Sequence, residues 1–201
     1  MASPTALFVI DIQNDNATDP ATRVRTADRV KNAGETILQA ARKTLDVYRE
    51  EKAGSPPLLI IFVQHEDLPG KGTLLKDTEA WKLVFEPRAG VEEEILVQKT
   101  TRNTFETNPE LAGMLKARGV SKVVAFGIQS ERCVESTCRG AREEGFHVTL
   151  LSGAHSTYDV EGKLAEEMEA EAEEQLREVG VKTERWEDAV ARGLGTDDPS
   201  D

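Results

Sequence analysis

Five apolar, β-branched-rich runs are spaced along the chain, at 6–11, 58–64, 95–98, 122–127 and 148–152. Most are continuous rather than alternating. Strands buried on both faces read this way, which points to a parallel sheet covered by helices. A sixth run, 181–186, alternates and suits an edge strand. Helical spacing fills the intervals. Val30, Ile37, Leu38, Ala41, Leu45 and Tyr48 form one apolar stripe, stopped by Gly54 and the pair Pro56 and Pro57. Asn108 and Pro109 read as N-cap and first helical residue of a helix carrying Leu111, Met114 and Leu115, closed by Gly119. Another helix runs from about Cys133 to Glu144, where Gly145 ends it. In the acidic stretch 161–179, Leu164, Met168, Ala172, Leu176 and Val179 make a stripe. This predicts an outward-facing helix with a solvated acidic side.

Strand–helix alternation repeated this often predicts one open, doubly wound, mostly parallel six-stranded α/β sheet of Rossmann-like form, with right-handed crossovers. No internal repeat or interdomain linker interrupts it. The expected organisation is one domain over 1–195 and a frayed polar tail at 196–201. In such sheets ligands sit beyond the carboxyl ends of the strands, near the point where strand order reverses. Residues that end strands one, three and four can therefore meet in one crevice.

Composition narrows the partners. The chain has 201 residues, 38% hydrophobic and 31% charged, with a formal net charge of −12. An acidic surface repels phosphate backbones, so a small-molecule substrate is expected rather than nucleic acid. No apolar run approaches the roughly 20 residues that span a bilayer, and no basic residue precedes the first apolar run. A cytoplasmic protein without membrane contact is the expectation. Cys133 and Cys138 lie five residues apart in one predicted helix, a spacing that turns their side chains away from each other. Each is expected to be a free thiol.

The predicted strand ends carry chemistry. Asp11 follows Leu7–Ile10, Lys99 follows Ile95–Gln98, and Cys133 opens a helix after the strand ending at Gly127 and the loop 128–132. A thiolate, not a thiol, is the attacking species, and a free cysteine has a pKa of roughly 8.5. A helix N-terminus and a nearby ammonium both favour the thiolate, while a carboxylate can accept the proton. Backbone N–H groups around Cys133 can hold an oxyanion. Taken singly, each residue has a bland reading: a small buried cysteine, a capping aspartate, a solvated lysine. The three together at three strand ends make the catalytic reading a serious competitor.

The segments Phe8–Asp15, Val97–Lys99 leading to Asn103–Phe105, and Gly127–Thr137 resemble the isochorismatase-like cysteine hydrolases, a family that includes nicotinamidases, N-carbamoylsarcosine amidohydrolase and ureidoacrylate hydrolases. The likeness runs from about residue 5 to 159. It implies that Asp11, Lys99 and Cys133 are a catalytic triad. It also implies a cis peptide between Ile128 and Gln129, with the N–H groups of Gln129 and Cys133 forming an oxyanion hole. The activity implied is cysteine-dependent hydrolysis of a C–N bond, amide or ureido, through a thioester, in a homo-oligomer without a cofactor.

Departures from the family pattern bear on the substrate. After Asp11 and Gln13, the place where an aromatic residue often walls the pocket holds Asn16, which implies a more polar substrate than a pyridine ring. Nicotinamidases carry a metal site near strand two; here His65, Glu66 and Asp67 stand there without a second histidine nearby, and His147 and His155 lie far along the chain. No metal site is expected. Gln13, Asn16, His65 and Trp81 are candidate pocket residues, Arg132 a candidate rim cation, and Cys138 a helix-packing residue. Two other readings compete. A vinyl-ether hydrolase of the isochorismatase type is opposed by the intact Cys133. A nucleotide-binding scaffold is opposed by the glycine-free turn 12–16 and by the absence of a dinucleotide fingerprint, a P-loop or a G-x-S-x-G elbow.

Overall fold

The computed structural model describes residues 3–51 and 54–194. The tail at 196–201 lies outside the described residues. Strand β1, Thr5–Ile10, is buried at every position, as its unbroken apolar run requires. It pairs in parallel with β2, Leu58–His65, on one side and with β4, Lys122–Ile128, on the other. Strand β3, Glu94–Lys99, extends the sheet beyond β2, and β5, His147–Ser156, and β6, Lys182–Arg185, extend it beyond β4. The order is β3-β2-β1-β4-β5-β6, with every strand pair parallel. Strand order therefore reverses between β1 and β4.

Helices cover both faces. The long helix α2, Ala27–Glu51, follows the one-turn helix α1, Asn14–Ala17, and packs Val30, Ile37, Leu38, Ala41 and Leu45 against one side. Helix α7, Trp186–Arg192, adds Ala189 to that layer. The other side receives Phe105 of α3, Thr104–Thr107, and Leu111 and Leu115 of α4, Leu111–Ala117. Cys138 and Ala141 of α5, Glu135–Glu143, and Leu176 of α6, Ala165–Glu178, complete it. A π-helical turn, Ser130–Val134, leads into α5. Among the described residues, no helix is long and apolar enough to cross a membrane.

Three local expectations are corrected. Helix α4 starts at Leu111, and Asn108 does not cap it: its N–H and side-chain amide close α3 by donating to the Thr104 carbonyl. Strand β3 alternates in burial because it is an edge, so the sheet has two edges of the kind expected at 181–186. The inner face of α6 is Ala165, Glu169, Ala172 and Leu176, whereas Leu164 and Val179 are exposed. Two glutamates of that helix, Glu169 and Glu173, turn toward the end of β5 rather than into solvent, because Ser156 and His155 offer them hydrogen bonds there.

The reversal point is tightest at Gly127. Its φ of +146° lies where L side chains are rare, and a Cβ built on it would stand 2.0 Å from the carbonyl oxygen of Ile10. Gly127→Ala forces β4 away from the end of β1, next to Asp11. A destabilisation of roughly 2–5 kcal/mol is expected from the strained backbone and the overpacking together. Urea unfolding measures it; a loss below about 0.5 kcal/mol would show that the two strand ends can separate freely.

Candidate active site

Asp11 leaves β1 with its N–H donated to the Val63 carbonyl and its φ at +49°, in the left-handed region. Few residues other than glycine adopt that conformation without support. Asn16 supplies it. Its side-chain amide donates to the Asp11 carbonyl at 2.8 Å while its Oδ1 accepts the Gln13 N–H at 3.1 Å. Helix α1 thus folds back on the strand end and aims the carboxylate across the sheet.

Lys99 comes from the far edge. Its side chain is fully buried and crosses the end of β2 to reach Asp11 Oδ2 at 2.7 Å. The same Nζ lies 3.1 Å from the Thr101 carbonyl, 3.2 Å from His65 Nδ1 and 3.3 Å from Cys133 Sγ. Asp11 Oδ1 is also buried and has no hydrogen-bond partner among the described residues. One carboxylate oxygen is therefore held by the ammonium and the other is open to a proton. The three residues proposed from the strand ends meet in one place.

Burial pushes the Cys133 thiol up to about 12, and the adjacent Asp11 carboxylate adds to the rise, outweighing the Lys99 ammonium. The expectation of a resting thiolate is corrected: desolvation and a like charge defeat the ammonium, so the thiol is protonated near neutral pH. Burial works against the Lys99 charge, but Asp11 and Cys133 overcome it and hold the ammonium above its usual range. The site stores the proton on sulfur, beside an oxygen that can take it.

Above this base opens a cavity of about 460 Å³, lined by Asp11, Asp15, Asn16, His65, Asp67, Lys71, Thr73, Arg102, Gln129, Arg132, Cys133 and Tyr158, among others. Asn16, His65 and Arg132 are among its lining residues. Gln13 and Trp81 are not. Gln13 is fully buried and clips strand ends together: its amide donates to the carbonyls of His65 and Trp81, and its Oε1 accepts the His65 N–H. Trp81 contributes its carbonyl to that clip and to Gln64. Lys71, Arg102 and Tyr158 were not singled out from the sequence. Arg102, three residues after Lys99, carried a usable signal; Lys71 and Tyr158 arrive on loops. Burial, with Asp15 nearby, pushes the Tyr158 phenol up to about 12, so it remains a donor. The wall is polar and charged.

The peptide between Ile128 and Gln129 is cis, and Gln129 and Cys133 line the same cavity. Among the described residues, Asp11, His65 and Cys133 offer ligand atoms within 4.8 Å of one another. They do not fit a divalent ion, because the Lys99 ammonium bonds to all three and is itself the cation between them.

An open parallel sheet with a thiol, a carboxylate and an ammonium joined at its reversal point defines a class of α/β proteins. The chain matches the isochorismatase domain model over residues 5–186 and belongs to that family. It is 32% identical to a streptothricin hydrolase of Streptomyces noursei, over 77% of this chain and 50% of that protein. It is 31% identical to a ureidoacrylate amidohydrolase of Rhizobium rhizogenes, over 76% of this chain and 71% of that one. The chain spans about half the length of the streptothricin hydrolases it matches. The fold is shared with a zinc-bound pyrazinamidase of Pyrococcus horikoshii, at a TM-score of 0.67, 22% identity and coverage of 90% and 98% of the two chains. A cysteine hydrolase of Pseudomonas syringae superposes with a TM-score of 0.76 at 18% identity, covering 94% and 91%.

The electrostatics give opposite signs for the two charged partners. Asp11→Asn removes a charge that raises the Cys133 pKa, so alkylation by iodoacetamide should shift to lower pH. Lys99→Met removes one that lowers it, so the profile should shift to higher pH. Cys138, fully buried, should label far more slowly throughout. Profiles that move together, or not at all, would contradict the coupling.

Proposed function

We propose that this protein is a cysteine-dependent hydrolase that cleaves the C–N bond of a small polar amide or ureide, with Asp11, Lys99 and Cys133 as its catalytic residues. The observation that carries this reading is the buried Lys99 ammonium bonded to both Asp11 and Cys133 at the base of a charged cavity. Membership of the isochorismatase family and likeness to a streptothricin hydrolase and a ureidoacrylate amidohydrolase support the bond type.

Substrate binding displaces water and brings a carbonyl carbon to Cys133 Sγ. As sulfur attacks, its proton passes to Asp11, whose unpartnered oxygen is the available acceptor. Negative charge gathers on the carbonyl oxygen, and the Gln129 and Cys133 N–H groups are the proposed donors to it. Lys99 stays protonated and offsets the charge that moves between sulfur and carboxylate. Asp11 returns the proton to the departing amine as the C–N bond breaks, leaving a thioester. Asp11 then takes a proton from the water that attacks the thioester and gives it to the departing sulfur, so the acid is released and the thiol and the carboxylate are restored. The net reaction is amide plus water to acid plus amine.

A panel of primary amides and ureides assayed for ammonia or amine release tests this directly. Turnover of at least one member should survive exhaustive dialysis against EDTA. Cys133→Ala should abolish it, and Asp11→Asn should lower it by about 10²–10⁴-fold, the usual contribution of a general acid–base group. Full activity of Cys133→Ala would falsify the covalent route, and loss with EDTA that zinc restores would reverse the view of Lys99 as the resident cation.

A further inference from the structure

A second buried polar chain lies behind the nucleophile, outside the cavity lining. Ser130 opens the π-helical turn that carries Cys133, and it is fully buried. Its Oγ stands 2.8 Å from Nδ1 of His155, which is also fully buried. The other ring nitrogen, Nε2, stands 3.2 Å from Glu173 Oε1 of α6. The second oxygen of Glu173 faces Arg177 at 3.6 Å. Burial pushes the Glu173 carboxyl up, but hydrogen bonds from His155 and Ser152 and the Arg177 charge hold it below the usual range. An ionised carboxylate only accepts, so Nε2 carries a hydrogen and the ring is fixed in orientation.

Serine, histidine and glutamate in line also describe a hydrolytic triad. Ser130 is not one of the residues lining the cavity, so no substrate carbonyl reaches it there. Its location suggests a different use. His155 and Ser156 are the residues of β5 that pair with Gly127 and Ile128, the end of β4 immediately before the cis peptide and Gln129. Ser156 is itself bonded to Glu169, one turn before Glu173 on α6, and Glu169 pairs with Arg29 of α2. Two successive turns of one helix therefore grip the two strand residues on which the Gln129–Cys133 segment rests.

We propose that the chain Glu173–His155–Ser130 is a positioning device for the Gln129–Cys133 turn, fixing the nucleophile and the two backbone donors of the oxyanion hole from behind. The three are positioning residues, since none touches the reacting atoms. This inference rests on the reading of Cys133 as nucleophile. A displacement of the turn on the order of 1 Å can cost about 10²-fold in rate, while the cavity walls supplied by Asn16, His65, Asp67, Lys71 and Tyr158 are left in place.

Two variants and their combination test it: Ser130→Ala removes the hydroxyl, and Glu173→Met removes the acceptor while keeping helix propensity. With the panel substrate turned over fastest, each should lower kcat by about 10–100-fold with KM within about threefold. The double variant should be no more than about twofold worse than the poorer single one, because the residues act as one unit. Amide hydrogen exchange, which needs no substrate, should quicken about tenfold or more over the peptide 128–134 in each variant and stay unchanged over α2. Single variants that keep kcat within about twofold, multiply independently in the double variant, or leave exchange at 128–134 unchanged would overturn the proposal. If the wild-type protein turns over no panel member, the hydrolase reading fails, and exchange alone still decides whether the chain holds the turn.

Discussion

The Lys99 ammonium carries three protons and has four acceptors within 3.3 Å, in a position without solvent. An ion of that kind is costly to bury unless every proton finds a partner and a countercharge stands close. Asp11 supplies the countercharge, and the arrangement dictates much else. The carboxylate must leave β1 in a left-handed conformation to reach the ammonium, so Asn16 must hold its carbonyl. The thiol must stand beside both charges, so the end of β4 must lie hard against the end of β1, and only glycine permits that at 127.

The same balance explains the resting protonation. A lone ammonium beside a cysteine favours the thiolate, but here burial disfavours it, and the ammonium is already engaged by a carboxylate that repels the same thiolate. The three groups form a neutral unit of thiol, carboxylate and ammonium. In the proposed reaction, an arriving carbonyl draws the proton a short distance inside that unit. His65 borders it on the cavity side, its Nδ1 beside the ammonium and its Nε2 3.3 Å from Asp67, which also accepts the N–H of Leu74. The base of the site and the segment 67–74, which lines the cavity, are thereby connected.

The fold serves this centre from both layers. On the α2 side, Arg42 and Arg88 fix the buried Glu94 at the start of β3, the strand that delivers Lys99 at its other end. On the α6 side, Glu169 and Glu173 seize the end of β5, which supports the turn carrying Cys133. An acidic helix that reads as a solvated surface is therefore anchored through two of its glutamates to the support of the turn that carries Cys133.

The unbroken apolar runs of β1, β2 and β4 announced buried parallel strands, and the rule that ligands gather at the strand ends brought Asp11, Lys99 and Cys133 forward as candidates, which the family resemblance then marked as a triad. Those statements depend on local composition and on topology, which a sequence carries directly. What the sequence did not carry were relations between side chains distant along the chain. Gln13 reads like its neighbour Asn16, yet it clips backbone carbonyls while Asn16 meets the cavity; their different directions follow from the turn geometry of α1. Glu169 and Glu173 look like the other glutamates of α6, and only the register of that helix against His155 and Ser156 sets them apart. The protonated thiol was equally illegible, because a pKa follows from burial and from the distances to two charges, and both exist only once the three strand ends have come together.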